Sequence, residues 1–123
     1  MSTGYTPPAK NLMLDHLASR IGHVSLHTAD PGTTGANEVS GGDYTRLLPA
    51  FDPAAAGEME LAESVTFDVP GGTTVSHVGF WSSDATPVFL GRDDVTPESF
   101  GGDGKYTLLK ETSFDLNLDQ EAA

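Results

Sequence analysis

From His23 to Asp119 the hydrophobic residues recur with a period of two, and that alternation limits the fold more than any other feature of the chain. Segments 23–28 (HVSLHT), 64–69 (SVTFDV), 74–81 (TVSHVGFW), 87–91 (PVFLG), 105–109 (KYTLL) and 114–119 (FDLNLD) each read as a strand. Segment 44–51 (YTRLLPAF) reads as another, with Pro49 at an edge or bulge. Glycine pairs and polar clusters (GG, SSDATP, GGDG, KETS) separate them. Alternation with one apolar face suits antiparallel sheets, because buried parallel strands need continuous Val/Ile/Leu runs.

Before this region the period is helical. Residues 9–21 are expected to form one short helix, with Leu14, Leu17, Ala18 and Ile21 on one face, Pro8 in its first turn and Gly22 as its stop. A helix this short needs to pack on the rest of the chain. The fold class is therefore mainly β: an antiparallel β-sandwich of about seven short strands with one short N-terminal helix. At 123 residues the chain is long enough for one domain and one modest core. That domain is expected over 10–119, with residues 1–9 a flexible arm, 53–62 and 92–104 loops, and 120–123 a frayed tail.

Charge and composition exclude several functions. Eighteen Asp and Glu face six Lys and Arg, giving a net charge of −12, and the acids are spread along the chain. Such a surface repels nucleic acid and anionic membrane. It fits solubility, a basic partner or a high-salt habitat. No apolar run approaches the 18 residues of a membrane span, and the N-terminus lacks the pattern of a secretory signal. With no cysteine there is no disulfide, no thiolate nucleophile and no Cys-type zinc site.

The segment 27–46, HTADPGTTGANEVSGGDYTR, holds almost nothing that could fill a core. A phosphate cradle would run into a helix and carry a lysine, whereas this segment has no lysine and runs into YTRLL. Asp30, Glu38 and Asp43 lack the closely alternating spacing of a calcium loop, and they are kept only as weak calcium candidates should they converge in space. The remaining reading is a shaped loop, in which Asp30-Pro31-Gly32 makes a turn and Gly41-Gly42 allows positive φ.

Chemistry finds little purchase elsewhere. His23 and His27 are four apart in a strand, about 13 Å, too far to share a metal. With no HExxH or His-x-His pattern, the four histidines, His16, His23, His27 and His77, read as surface or edge residues. No GxSxG occurs, and Ser76 and His77, adjacent in a strand, are expected on opposite faces. Asp93-Asp94 and Asp115/Asp119 are expected in turns or on a solvent face. Phe80, Trp81 and Phe89 are expected in the core, with Trp81 also a candidate for an interface.

LHTADPG at 26–32, followed by GANEVSGG at 35–42, Tyr44 and Arg46, resembles a family of small virion proteins of tailed viruses of bacteria and archaea, usually labelled phage tail fibre or minor tail proteins. Val65-Thr66-Phe67, Ser76-His77-Val78-Gly79-Phe80-Trp81 and Phe114–Asp119 extend the resemblance, which covers most of residues 10–119. The acidic 92–104 stretch and the sparse lysines depart from the family pattern and suit a virus of a salt-loving host.

The resemblance implies a non-enzymatic structural protein with no cofactor and no small-molecule substrate. It implies a homo-oligomer that stabilises subunit junctions with other virion proteins on the tail or head surface, made in the host cytoplasm. A host-surface module binding glycan or protein at the tail tip, a capsid decoration protein and a calcium- or salt-dependent assembly module are the rivals. The expected subunit-contact loop comprises Asp30, Pro31, Gly32, Asn37, Glu38, Gly41, Gly42, Tyr44 and Arg46. In it Asn37 and Glu38 are expected to cap backbone N–H groups, and Arg46 to pair with Glu38 or Asp43. The loop is expected to project from the sandwich.

Overall fold

A computed structural model describes residues 6–110 and 112–115. Helix α1 spans Pro7–Arg20, starting two residues before the expected boundary because two prolines occupy its first turn, where a missing N–H costs nothing. Leu14 is buried, and Leu17 and Ala18 pack against the same core. The backbone N–H of Ala54 donates to Asp15 Oδ1 (2.6 Å) and that of Gly57 to Asn11 Oδ1 (2.9 Å), so the helix also organises the 54–57 turn. Ile21, extended at φ −77° and ψ 117°, leads directly into strand β1, Ile21–His27. Gly22 is therefore not a helix stop. It lies in β1, where a Cβ would stand 2.6 Å from the Ser83 Cα.

Six further strands follow: β2 (Glu58–Glu60), β3 (Val65–Val69), β4 (Thr73–Ser82), β5 (Phe89–Phe100), β6 (Gly104–Leu108) and β7 (Ser113–Asp115). They form a three-stranded sheet, β1-β4-β5, and two two-stranded ladders, β2-β7 and β3-β6. Every pairing is antiparallel, as the alternation requires. The inward residues Val24 and Leu26 of β1, Val75, Val78 and Phe80 of β4, Val65, Phe67 and Val69 of β3, and Tyr106 and Leu108 of β6 meet in one core. Phe80 joins the sheet to β7 through an edge-to-face contact with Phe114, 5.0 Å between centroids at 84°.

The departures from the sequence reading have local causes. Segment 44–51 is not a strand. Its ladder pairing is limited to isolated bridges, Val24 with Leu47 and Phe51 with Leu61. Pro49 cannot donate, and Tyr44 and Arg46 are held by side-chain bonds instead. Segment 53–62 was expected as a loop but contains β2, whose three residues bury only Met59 and are too few to show a period. The expected 92–104 loop is a strand as far as Phe100. Strand β5 runs twelve residues because an edge strand pairs on one side only and tolerates Arg92, Asp93, Asp94, Pro97 and Glu98. Residues 116–119 of the last expected strand, the expected tail 120–123 and the first five residues of the expected arm lie outside the described residues. Among the described residues no helix is long and apolar enough to cross a membrane.

Leu14 is 1% exposed and Leu12, two residues earlier on the same helix, is 74% exposed. Leu14→Ala is expected to lower the unfolding free energy by about 2–5 kcal/mol, and Leu12→Ala by no more than about 0.5 kcal/mol. Urea denaturation of the two variants, with the slope unchanged from wild type, checks both.

Candidate contact loop

Strand β1 turns Val24 and Leu26 to the core, so Ser25 and His27 point to the opposite face of the sheet. Read from the sequence, that face belongs to water. Yet Ser25 and His27 are both fully buried, because the segment after β1 folds back over them. Its return leg runs beside β1, with the Val39 N–H donating to the Leu26 carbonyl and the Thr28 N–H to the Asn37 carbonyl (both 2.9 Å). The loop therefore lies flat against the sheet rather than projecting from it.

A chain of hydrogen bonds fastens it there. His27 Nδ1 lies 2.8 Å from the Ala36 carbonyl, its Nε2 lies 2.7 Å from Ser25 Oγ, and Trp81 Nε1–H donates to that same Oγ (2.8 Å). A carbonyl only accepts, so Nδ1 carries the hydrogen. Burial lowers the His27 pKa below 6.5, which keeps the ring neutral, so Nε2 accepts from the Ser25 hydroxyl. Two glycines make room for this layer. A Cβ on Gly79 would lie 2.7 Å from His27 Nε2 and 2.8 Å from both Ser25 Oγ and the Phe89 ring, and a Cβ on Gly35, at φ +78°, would lie 2.5 Å from the Trp81 ring.

A second knot ties the loop to itself. Glu38 accepts from Arg46 at both oxygens, Oε1 from NH2 (2.8 Å) and Oε2 from Nε (3.0 Å). Tyr44 O–H donates to Oε2 (2.8 Å) while accepting the Leu26 N–H (2.9 Å). The guanidinium lies over Trp81, its carbon 3.7 Å from the ring centroid. Burial pushes the Glu38 carboxyl up, but the bonds from Arg46 and Tyr44 outweigh it and hold the pKa below the usual carboxylate value. Burial, reinforced by Glu38, raises the Tyr44 phenol, so it remains a donor.

The tip of the loop has its own fastening. Asp30 Oδ1 accepts the Gly32 N–H and pairs with Arg92 of β5 (both 2.8 Å). Asn37, at φ +64°, donates to the Asp30 carbonyl (3.1 Å), and Pro31 is buried. Gly32, Gly41 and Gly42 all adopt positive φ, as their turns demand.

The structure thus brings Glu38, Tyr44 and Arg46 together at one knot and Asp30, Gly32 and Asn37 at another. Of the two partners expected for Arg46, it takes Glu38. Asn37 and Glu38 do not cap backbone N–H groups: the first donates to a carbonyl and the second accepts from side chains. The three calcium candidates face different cations. Asp30 meets Arg92, Glu38 meets Arg46, and exposed Asp43 adds its charge to the pair of Lys105 with Asp68. Among the described residues no group of three or more His, Asp or Glu side chains is placed to hold a metal ion.

Two histidine expectations are corrected. His27 does lie in an edge strand, β1, but it is fully buried beneath the loop rather than at the surface. Ser76 Oγ lies 2.8 Å from His77 Nδ1 although the two are sequence neighbours, because the ladder register shifts between Val75 and His77 and the strict alternation fails there. Asp93 and Asp94 lie in β5 rather than in a turn. Phe80 is in the core as expected, whereas Trp81 and Phe89 are half-buried beneath the loop.

Sequence reasoning missed Ser25, His27, Gly79 and Arg92 as partners of the loop. The available signal was Gly79, a side-chain-free position inside the most aromatic strand, which marks a close approach. An open depression of about 510 Å³ lies beside the second knot, lined by His23, Glu38, Val39, Tyr44, Arg46 and Pro87 among others.

Glu38→Ala is expected to cost about 1.5–3 kcal/mol, the worth of charge-assisted hydrogen bonds, with the loss read by chemical denaturation at neutral pH. The pH dependence has a definite sign. The folded carboxyl titrates below its ordinary 4.5, so its contribution is complete above that pH and disappears as the pH falls through the folded value. Stability measured against pH below about 4.5 is therefore expected to fall more steeply in wild type than in Glu38→Gln.

No curated protein and no solved structure matches the chain. Residues 5–106, well over half of the sequence, match the family described as Gp80, Podophage GP4 fiber I protein gp80. That family agrees with the tail-fibre resemblance of the LHTADPG and GANEVSGG segments, and it makes the protein a phage fibre structural component associated with other virion proteins. The chain belongs to the podophage GP4 fiber I protein gp80 family.

Proposed function

We propose that this protein is a non-enzymatic virion component that forms a symmetric homo-oligomer on the tail surface and stabilises junctions with neighbouring virion proteins through loop 28–46. One observation carries the reading: some twenty residues poor in core-forming side chains are cross-braced at three places, a rigidity suited to presenting one fixed surface. A loop held in one shape loses little conformational entropy when a partner docks on it, which is what a repeated structural contact needs. Thr33 and Thr34 lie exposed on the tip between the Asp30 and Ala36 fastenings and form the presented surface. Closed symmetry is the usual state of identical subunits on a particle.

Thr34→Arg is expected to leave folding unchanged, because the position is exposed, while lowering incorporation of the protein into particles. Sedimentation of the isolated protein and quantitation of the chain in purified particles read the two effects. Immunogold labelling of intact particles tests the placement. Sparse label at the tail supports a fibre component, dense label over the head supports a capsid decoration protein, and absence of the chain from particles contradicts a structural role altogether.

A further inference from the structure

We propose that His27 is an acid-sensitive latch, which holds the 35–36 segment of loop 28–46 on the outer face of the sheet while its ring is neutral and releases that segment when the ring takes up a second proton.

The geometry leaves no place for that proton. Nε2 accepts the Ser25 hydroxyl hydrogen at 2.7 Å, and the same oxygen already accepts the Trp81 indole hydrogen. A hydrogen added to Nε2 would point at Ser25 Oγ and force the hydroxyl hydrogen to turn away. The space it would turn into is closed. His27 and Ser25 are fully buried, the Phe89 ring stands against His27 with centroids 6.2 Å apart, and a single carbon added at Gly79 would already fall within 2.8 Å of three heavy atoms. A water molecule cannot enter to accept the displaced hydrogen while the layer stays shut.

The charges around the ring do not rescue the protonated form. From the loop, the Ala36 carbonyl and Glu38 favour it and Arg46 opposes it. From β4, His77 also opposes it; β5 sets the uncharged Phe89 against the ring and carries, farther out on the same face, Asp94 in register with His77 and Arg92 paired to Asp30. Glu38 is already committed to Arg46 and Tyr44. Burial is the largest influence on the ring and lowers its pKa below 6.5. The folded state therefore binds fewer protons than the unfolded chain below that pH, so stability is complete above about 6.5 and falls on acidification. The easiest relief is local. Ala36 is held by two hydrogen bonds, from His27 to its carbonyl and from its N–H to the Pro31 carbonyl, so lifting the 35–36 segment breaks little and admits water to the imidazolium, while the inner core on the far side of the sheet is untouched. The latch operates whether or not the loop meets another subunit.

Trp81 is the sole tryptophan, and it is bonded to the same serine as His27, so it reports on the latch directly. Its emission is to be followed from neutral pH down to about 4.5, the ordinary value of the Glu38 carboxyl, with far-ultraviolet circular dichroism recorded in parallel. The expected result is a reversible red shift beginning below about pH 6.5 with unchanged dichroism. The shift is lost in His27→Gln and kept in His77→Gln. Flat emission in wild type, a shift that survives in His27→Gln, or loss of dichroism along with the shift would each overturn the latch. Should His27→Gln fail to fold, nuclear magnetic resonance titration of the wild-type protein decides. Coincident midpoints for the His27 ring and the Trp81 indole hydrogen support the latch, and separate midpoints contradict it.

Discussion

A three-stranded sheet has two faces, and the helix and two small ladders of this chain cover only one of them. Segment 28–46 closes the other, and the hydrogen bond from His27 to the Ala36 carbonyl fastens its middle. This glycine-rich segment comes close enough to bury Ser25 and His27, to seat Gly35 on Trp81, and to let Arg46 lie across the indole. The layer is polar, and that is possible because its members satisfy one another in sequence, Trp81 to Ser25 to His27 to Ala36. A network of this kind specifies a single arrangement, since losing any one partner leaves a buried donor or acceptor unsatisfied.

The electrostatics follow the same division. Arg20 with Asp84 and Lys105 with Asp68 are exposed pairs, worth little on their own. Arg46 with Glu38 is different, because it is bidentate, partly buried and backed by an aromatic face. Arg92 with Asp30 pins the loop tip to the edge strand β5. Two of the six Lys and Arg thus serve the loop, Arg46 in its own knot and Arg92 at its tip. The surplus of acid is left to the surface, where it opposes association with other acidic bodies.

The alternation of Val65–Val69 was legible because one face of the strand meets the core and the other meets solvent, whereas in Thr73–Ser82 the register shift and the covering loop break the strict period. Strand β5 was hidden because it is an edge, where charge and proline are tolerated and the apolar period is diluted. Segment 44–51 misled for the opposite reason: Leu47, Leu48 and Phe51 give it a strand-like look, but its bonds run through Tyr44 and Arg46 side chains. At the loop, the Asp30 turn was readable from residue type and spacing, and Arg46 was expected on Glu38 or Asp43, between which only the structure decides. The burial of His27 was not. A histidine two residues beyond a serine on the polar face of a strand looks solvent-exposed until the covering segment is known, and cover of that kind is a tertiary fact.

The central claim is that segment 28–46 is a fixed layer of the fold, and amide hydrogen exchange tests it most directly. The N–H groups of Thr28, Ala36 and Val39 donate to the carbonyls of Asn37, Pro31 and Leu26. At neutral pH these three amides are predicted to exchange as slowly as the paired amides of β1. Exchange at the rate of an unstructured chain, with β1 still protected, would contradict the account.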